Sequence, residues 1–203
     1  MKTPNQEKVW DIIAIKWNEC RQDPVPEAIE FMKKQKGKIL DLGCGSGRNF
    51  IKLKQKKVYG LDFSKEILKY AKQKSDNLNL NAELKQIKNE KIPYADNFFD
   101  SAIFIAVLHC IETDSKRKKL LKELYRVLKP NSKALISVWS KNHERLKNKP
   151  KKTFIPWTVN NKKYNRYTYI YDKEELEQQL KLTGFKILNS KEDNNIVFIV
   201  EKI

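Results

Sequence analysis

The clearest chemical signal in this chain of 203 residues is a glycine-rich stretch that begins with an acid. It reads Asp-Leu-Gly-Cys-Gly-Ser-Gly over residues 41–47 and follows a short apolar segment. Gly43 and Gly45 lack a Cβ atom, so their backbone can adopt positive φ and approach a bound molecule closely. The dinucleotide-binding fingerprint needs a further glycine where this chain has Arg48. The stretch therefore predicts a ligand-binding turn of a different kind.

A second acid, Asp62, ends the next predicted strand. A carboxylate at this point of a nucleotide-binding fold can accept hydrogen bonds from both hydroxyl groups of a ribose. A tight strand-to-helix turn with a capping acid needs no ligand, and the glycine spacing alone would favour that interpretation. The strand context and Asp62 together favour a nucleoside-type cofactor at this turn.

The elements that must position these residues alternate between helix and strand along the chain. Apolar residues at helical spacing predict helices at 5–20, 27–34, 64–74, 115–128 and 172–182, with a short helix after Gly47. Apolar runs predict strands at 38–42, 57–62, 83–87, 99–106, 133–139, 185–189 and 196–200, and residues 140–165 are expected to be irregular. This alternation predicts an α/β fold with a mostly parallel sheet, which binds ligands at the carboxyl ends of its strands.

The glycine stretch belongs to a larger pattern that includes Asp-Phe-Ser at 62–64, Ile-Pro-Tyr at 92–94, Phe-Phe-Asp at 98–100 and Arg-Val-Leu-Lys-Pro at 126–130. These segments resemble the class I S-adenosylmethionine-dependent methyltransferases over about residues 25–201. The resemblance implies a Rossmann-like, seven-stranded, mostly parallel sheet with helices on both faces and an antiparallel last strand. It also implies a single domain over residues 1–203, with N-terminal helices at 1–36 and a basic insertion on the substrate side at 140–171.

The same resemblance implies a cofactor, S-adenosyl-L-methionine, and the residues that hold it. Its methionine part would lie against Asp41 and the glycine turn, its ribose against Asp62 and its adenine against Phe63. Asn89 would contact the adenine amino group, because Lys88 stands where the family often has an acid. Ala106 would lie near the sulfonium. The expected cofactor-binding residues are Asp41, Gly43, Cys44, Gly45, Asp62, Phe63, Asn89 and Ala106.

A narrower resemblance rests on the segments at 104–109, 137–139, 154–157 and 166–171, which include Phe-Ile-Pro-Trp and Arg-Tyr-Thr-Tyr. These segments look like the tRNA wobble-uridine carboxymethyl methyltransferase family. That family esterifies the carboxylate of 5-carboxymethyluridine in the anticodon and works with a small zinc-binding activator protein, which implies tRNA and such an activator as partners here. Cys110 and Tyr169 depart from the family, which commonly has histidine at both places.

The chemistry of such a carboxylate limits what the protein must supply. A carboxylic acid with a pKa of about 4 is already ionised at neutral pH, so it needs no general base to attack an activated methyl group. Orientation must then provide most of the catalysis. The expected catalytic residues, which would hold the carboxylate, are Arg21, His109, Arg166 and Tyr167. Without the family match, solvated surface arginines would be the favoured interpretation of Arg21 and Arg166, and a hydrogen-bonded structural histidine is the alternative for His109.

The net charge of +17 suggests a polyanionic partner, but its composition weakens that signal. Only six of the 42 basic residues are arginine, and an adenine-rich coding sequence would produce the excess of lysine without any functional cause. The placement of charge is more informative. Residues 141–166 contain nine basic side chains, one acid and three large aromatic residues, and this segment follows a strand that ends at the ligand-binding edge. It is therefore expected to face RNA.

Other classes of protein are disfavoured. No apolar run is long enough to span a bilayer, and the first residues show no secretory signal. Three cysteines without a close pair and only two histidines argue against a disulfide framework or a metal site and suit a reducing cytoplasm. Two alternatives remain: a methyltransferase for a small carboxylate or phenol, which would need an enclosed apolar pocket, and a non-catalytic RNA-binding subunit with the same fold.

Overall fold

In the computed structural model, which describes residues 4–54 and 56–203, helices and strands alternate much as the sequence predicts. The helices are α1 (Gln6–Cys20), α2 (Pro26–Lys34), α3 (Lys65–Asn77), α4 (Asp114–Val127) and α5 (Lys173–Thr183). The strands are β1 (Gly37–Leu42), β2 (Lys56–Asp62), β3 (Ala82–Gln86), β4 (Phe99–Ile105), β5 (Leu128–Trp139), β6 (Lys152–Val159), β7 (Lys162–Tyr169), β8 (Phe185–Glu192) and β9 (Asn195–Lys202).

Seven of these strands form one sheet in the order β3-β2-β1-β4-β5-β9-β8. Strands β1 to β5 pair in parallel, whereas β9 runs antiparallel to both β5 and β8. The expected seven-stranded, mostly parallel sheet with an antiparallel last strand is confirmed. The central strands are buried on both faces, because one apolar core cluster includes Leu40 and Phe104 and another includes Ile39 and Ile103.

The segment expected to be irregular, at 140–165, is instead largely ordered. After a short 3₁₀ turn at Glu144–Leu146, strands β6 and β7 form a separate antiparallel hairpin. Its two-residue loop is Asn160-Asn161, and both residues have positive φ, at 48° and 60°. Asparagine tolerates this conformation, which matches the twist of a tight hairpin. The hairpin loop is thus the signal that the prediction overlooked.

A second difference concerns the chain after the glycine stretch. The sequence predicts a short helix after Gly47, but residues 45–49 form turns, and the described residues 43–54 between β1 and β2 contain no helix. Gly47 has a φ of 76°, and a Cβ atom there would lie 2.7 Å from the ring of Phe50. The close contact with this buried ring keeps the segment compact, and a left-handed residue at Gly47 prevents a regular helix from starting there.

Helix α1 lies at the carboxyl edge of the sheet, where it packs on α3 and on the β6–β7 hairpin. Asn5 caps its first turn by accepting a hydrogen bond from the backbone N–H of Lys8 at 3.0 Å. The carboxylate of Asp11 accepts hydrogen bonds from the Ser64 hydroxyl at 2.6 Å and from the backbone N–H of Glu66 at 3.3 Å. These bonds fix α1 to the start of α3, directly after Asp62.

Within residues 4–54 and 56–203, no helix has the length and apolar character needed to cross a membrane. In the same part of the chain, no three His, Cys, Asp or Glu side chains come together in a way that could hold a metal ion. The three cysteines form no disulfide; Cys20 is exposed, Cys44 is buried and Cys110 is half-buried.

Candidate functional site

Three adjoining cavities lie at the carboxyl ends of the central strands. The large cavity, of about 540 Å³, and the narrow cavity, of about 80 Å³, share Gly43, Asp62 and Phe63 in their walls. The narrow cavity shares Ala106 with a third space of about 380 Å³, which we call the arginine cavity because Arg21, Arg48 and Arg166 line it. Cys110 lines all three cavities. The three therefore form one cleft, and Cys110 is at its centre.

The glycine turn forms one side of this cleft. The backbone N–H groups of Gly43 and Cys44 both donate to the carbonyl oxygen of Leu61, at 2.6 and 3.0 Å, so the turn is tied to the end of β2. Gly43 has a φ of 73°, and a Cβ atom there would lie only 2.3 Å from Cγ2 of Val107. Only glycine fits at this position, which brings the backbone to the wall of the large and narrow cavities.

Asp62 lies beside the turn, where the sequence places it. One carboxylate oxygen accepts from the backbone N–H of Gly45 at 2.9 Å, and the other accepts from that of Ser64 at 3.0 Å. Burial raises the pKa of Asp62 to about 6, although these backbone hydrogen bonds oppose the shift. Each carboxylate oxygen can accept more than one hydrogen bond, so Asp62 can still bind hydroxyl groups in the large cavity.

Asp41 is buried behind the turn and is not itself a wall residue of the three cavities. Its Oδ2 atom has no hydrogen-bond partner among the described residues. Burial, and secondarily the nearby carboxylate of Asp62, raise the pKa of Asp41 to about 8. A buried carboxylate oxygen without a partner is costly, so this arrangement favours a ligand that carries a positive charge or donates hydrogen bonds through the turn.

The remaining expected cofactor residues lie in the cleft. Phe63 and Asn89 line the large cavity. Ala106 has a φ of 58° and donates its backbone N–H to Ser137 at 2.9 Å, which holds it in the wall between the narrow and arginine cavities. Cys44 also borders the narrow cavity, but its thiol is buried in the core and burial raises its pKa well above the usual range. Cys44 can therefore contribute its backbone rather than a reactive sulfur.

In the arginine cavity, Arg21 and Arg166 form no ion pair within the described residues, whereas Lys191 in the same wall pairs with Glu27 at 2.7 Å. The guanidinium carbon of Arg166 lies 5.5, 5.2 and 5.0 Å from the ring centroids of Trp10, Trp17 and Trp157. Within the described part of the chain, its Nε and Nη2 atoms have no hydrogen-bond partner. Arg21 lies 5.3 Å from the ring centroid of Trp17, and its Nε atom is also without a partner there. Burial lowers the pKa of Arg166 to about 10, assisted by Arg21, so the cavity is suited to an anion.

His109 lines the same cavity and is held in one orientation. Its Nδ1 atom accepts from the backbone N–H of Trp139 at 3.3 Å, and its ring stacks on that indole with centroids 5.1 Å apart. Burial lowers the pKa of His109 to about 3, and the charge of Arg166 adds to the shift. His109 is therefore neutral at pH 7. Because Nδ1 accepts a hydrogen bond, the proton is on Nε2, which makes the ring a neutral donor.

Tyr167 does not line the arginine cavity, contrary to the sequence-based expectation. It follows Arg166 directly on β7, and successive side chains of a strand point to opposite faces. Tyr167 is buried in the main core cluster and makes an edge contact with Phe154 at 5.9 Å between centroids. It therefore anchors the hairpin, while Arg166 is turned toward the cleft.

Two groups of wall residues were not expected from the sequence. Trp10 and Trp17 on α1 border the guanidinium of Arg166, and helical spacing indicates only that they share a buried face. His143 also lines the arginine cavity, where it stacks on Trp139 with centroids 4.5 Å apart. No local pattern marks His143, because its position depends on how the chain folds back after β5.

Comparison with known proteins agrees with this geometry. A family model described as a methyltransferase domain matches residues 33–193. The tRNA (carboxymethyluridine(34)-5-O)-methyltransferase of Arabidopsis thaliana is 34% identical over 150 residues, covering 70% of this chain and 35% of that protein. The protein of the same name from Schizosaccharomyces pombe is 25% identical over 225 residues, covering 95% of this chain and 93% of that protein.

The first curated relatives that this chain matches are longer proteins, of which the matched part spans 22% to 35%. Among solved structures, a chain of the Haloferax volcanii complex between the Trm112 methyltransferase activator and a methyltransferase superposes with a TM-score of 0.72. It is 14% identical, and the match covers 98% of this chain and 99% of that chain, so it shows the shared fold. The family match over residues 33–193, with a glycine turn and Asp62 that suit a nucleoside cofactor, makes this chain a member of the S-adenosylmethionine-dependent methyltransferases.

Proposed function

We propose that this chain transfers a methyl group to the carboxylate of 5-carboxymethyluridine at the wobble position of tRNA. The observation that carries the proposal is the pair Arg21 and Arg166, whose guanidinium groups have unused donors in a cavity that shares the wall residue Ala106 with the narrow cavity. Arg166 is buried and Arg21 is half-buried, so donors left without a partner are costly there, and a bound carboxylate would offset that cost.

The cofactor residues have separate tasks in this proposal. Asp62 accepts hydrogen bonds from the ribose hydroxyl groups, while Phe63 and Asn89 border the adenine in the large cavity. The backbone at Gly43, Cys44 and Gly45 lies against the methionine part. Asp41 lies behind this turn, where a positively charged ligand group would favour its ionised form and lower its pKa from about 8. Ala106 borders the point where the two substrates meet. When bound, S-adenosylmethionine supplies an activated methyl group on its sulfonium.

The residues that bind the methyl acceptor hold and orient the substrate carboxylate and remove no proton from it. The planar guanidinium groups of Arg166 and Arg21 can each bind a carboxylate through two parallel hydrogen bonds. His109 adds a neutral donor from Nε2. The tryptophans around Arg166 exclude water and restrict its side chain, which favours one orientation of the carboxylate.

A tRNA partner is supported by the names of the relatives and by basic residues on the β6–β7 hairpin. Lys162 and Lys163 are exposed where the hairpin turns. Some lysines of the expected basic segment are less available to bind RNA phosphates, because Lys141 and Lys151 form ion pairs with Asp172 at 3.3 and 3.2 Å. We infer that the exposed lysines of the hairpin contact the RNA backbone in the cytoplasm.

A small zinc-binding activator protein is a further proposed partner, in a heterodimer with this chain. Its support is the fold shared with a chain of the Haloferax volcanii complex that contains the Trm112 methyltransferase activator. The free edge of β3 at one side of the sheet, with the partly buried Leu84, offers a place for strand pairing. All of the residues proposed to bind the cofactor and the substrate carboxylate belong to this chain. The tRNA substrate and the activator partner can therefore be tested in separate experiments.

The decisive experiment uses tRNA from cells that lack the wobble methyl ester. The chain is incubated with this tRNA and with cofactor labelled in the methyl group, alone and with the activator. Label should enter the tRNA and be released as methanol by mild alkali, because an ester is hydrolysed whereas a methyl group on carbon or nitrogen is retained. Arg166→Ala should bind cofactor normally and transfer little label.

Three outcomes would contradict the proposal or select an alternative. Alkali-stable label would show a different acceptor atom. Transfer to a small free carboxylate but not to tRNA would favour a small-molecule methyltransferase, which could use the same arginines. Binding of tRNA without binding of the cofactor would favour a non-catalytic subunit.

A further inference from the structure

The side chain of Gln6 joins the first turn of α1 to the backbone on both sides of Arg166. Its Oε1 atom accepts from the backbone N–H of Tyr167 at 2.8 Å, and its Nε2 atom donates to the carbonyl oxygen of Asn165 at 3.3 Å. Nε2 also donates to the carbonyl oxygen of Pro4 at 3.0 Å. The two peptide groups that flank Arg166 are therefore both held by one side-chain amide.

This contact replaces a neighbouring strand. In a β-strand, the carbonyl of one residue and the N–H of the residue two positions later point to the same edge. The amide of Gln6 offers one acceptor and one donor in a single plane, as a peptide group does. Gln6 is only 7% exposed, so water does not compete freely for these bonds. The bonds fix the position of the β7 backbone at Arg166.

The same face of α1 also restrains the Arg166 side chain. Trp10 follows Gln6 by four residues, about one helical turn, and its ring centroid lies 5.5 Å from the guanidinium carbon. Trp17 contributes a second ring at 5.2 Å. Helix α1 is bound in turn to the start of α3 through Asp11 and Ser64. Gln6 itself lines the large cavity with Asp62 and Phe63.

We propose that Gln6 is a positioning residue that sets Arg166 in the arginine cavity. This inference rests on the proposed role of Arg166 as the group that binds the substrate carboxylate. Gln6 lies outside the residues matched by the methyltransferase family model, which begin at residue 33. The placement of the acceptor arginine is thus a property of the N-terminal helix and the hairpin together.

Chemical modification tests how firmly Arg166 is held, and it needs no tRNA substrate. The full chain is treated with phenylglyoxal, which modifies accessible arginines, and the modified peptides are measured by mass spectrometry. In Gln6→Ala, modification of Arg166 should be faster by about fivefold or more, because the backbone around it opens more often. Modification of Arg126, which lies outside the cleft, should not change.

The matched control is Gln35→Ala. Gln35 also donates its side-chain amide to a main-chain carbonyl, that of Phe31 at 3.2 Å, but lines none of the three cavities. Its removal should leave the Arg166 modification rate unchanged. If Gln6→Ala does not fold, Gln6→Glu decides, because its carboxylate can still accept from Tyr167 but cannot donate to Asn165. An unchanged rate in a folded Gln6 variant overturns the proposal.

A double-mutant cycle of Gln6→Ala and Arg166→Ala tests whether Gln6 affects methyl transfer through Arg166. In the presence of Arg166, Gln6→Ala should lower kcat/KM for the tRNA acceptor by about tenfold, since small displacements of an orienting group have large effects. In the Arg166→Ala background the same change should cost nothing further. Because Gln6 also lines the large cavity, cofactor affinity is measured in both backgrounds, and any change in it should be equal in the two. Equal losses in both backgrounds would show a structural role only. If the wild type transfers no methyl group to tRNA, the proposed function fails while the phenylglyoxal result still judges Gln6.

Discussion

The carboxylate of Asp62 accepts a hydrogen bond from the backbone N–H of Gly45 at 2.9 Å, which joins the end of β2 to the glycine turn that follows β1. Asp62 thus holds the turn and faces the large cavity at the same time. Loss of the Asp62 side chain would remove the proposed acceptor of the ribose hydrogen bonds and release one side of the turn.

Asp62→Ala is therefore expected to weaken cofactor binding by about a hundredfold or more, since two hydrogen bonds to a charged group are lost. Isothermal titration calorimetry with S-adenosylmethionine measures the change. Asp76→Ala is the control, because Asp76 is an exposed α3 residue paired with Lys72. Equal affinity of Asp62→Ala and the wild type would refute the ribose assignment.

Asp41 is expected to make the cofactor-free protein less stable as the pH rises. The pKa of Asp41 is about 8 in the fold, against about 4 in an unfolded chain. A raised pKa means that the fold prefers the neutral form of Asp41. The contribution of Asp41 to the free energy of unfolding is therefore complete below about pH 4 and is lost as the pH rises to about 8. Asp41→Asn should remove this loss. In thermal unfolding, the Tm difference between Asp41→Asn and the wild type should shift in favour of the variant from pH 5 to pH 9.

Asp100→Asn should show the opposite dependence and serves as the comparison. Burial works against ionisation of Asp100, but Lys129 and the backbone N–H of Lys38, which donates at 2.7 Å, hold its pKa below the usual value. Its contribution is present above the unfolded pKa of about 4 and is lost at lower pH. Parallel Tm curves for the wild type and Asp41→Asn would contradict the prediction for Asp41.

Replacement of Arg166 is expected to separate activity from stability. Arg166→Met keeps an apolar chain among the tryptophans but removes a buried charge that forms no ion pair with a described acid. The Tm should stay equal or rise, while kcat/KM for the acceptor falls by about a hundredfold or more.

Arg117→Met is the contrasting variant for thermal unfolding. Arg117 is also buried among aromatic rings, but it donates to the carbonyl oxygen of Ile111 at 2.9 Å and lies 4.0 Å from the ring centroid of Tyr169. Its replacement leaves that carbonyl without a donor, so the Tm should fall. A fall of the same size in Arg166→Met would show that Arg166 has a structural role instead.

The pH dependence of transfer should show no histidine step. His109 has a pKa of about 3 and the substrate carboxylate one of about 4, so neither changes its charge near neutrality. We expect kcat at saturating substrates to be constant from about pH 6 to about pH 9, below the point at which Arg166, with a pKa of about 10, loses its proton. Asp62 and Asp41, with pKa values of about 6 and about 8 in the cofactor-free fold, hold the cofactor in this proposal, so their ionisation should change cofactor affinity rather than kcat at saturation. Fixed-time assays of label transfer to tRNA at each pH in this range measure kcat. A rise in kcat with an apparent pKa between 6 and 7 would indicate a general base and contradict the mechanism.

The hairpin lysines are expected to determine the salt dependence of tRNA binding. Replacing Lys162 and Lys163 with alanine should weaken binding and lower the slope of log K against log salt by about one for each lost phosphate contact. Filter binding at several salt concentrations measures this slope. Lys141→Ala should change it little, because Asp172 already pairs with Lys141 at 3.3 Å. Equal effects of the two changes would mean that the hairpin turn does not face RNA.

The sequence by itself determined the parts of the site that are local in the chain. The acid and glycines at 41–47 mark a strand-to-turn junction, because only glycine adopts the backbone that Gly43 needs beside Val107. Asp62 could be predicted at the same edge, since the carboxyl ends of parallel strands lie together. The apolar runs likewise predict the seven strands of the sheet, because burial on both faces requires them.

Only the tertiary structure decided how the acceptor side is assembled. Arg21 and Arg166 line one cavity because α1 and the β6–β7 hairpin pack on each other, and no local pattern reports contacts between elements so far apart in sequence. The direction of each side chain on β7 also depends on the hairpin register, which turns Arg166 to the cleft and Tyr167 to the core. Gln6 is the plainest case: its amide resembles any surface glutamine in the sequence, and its role follows from two hydrogen bonds to the backbone that flanks Arg166.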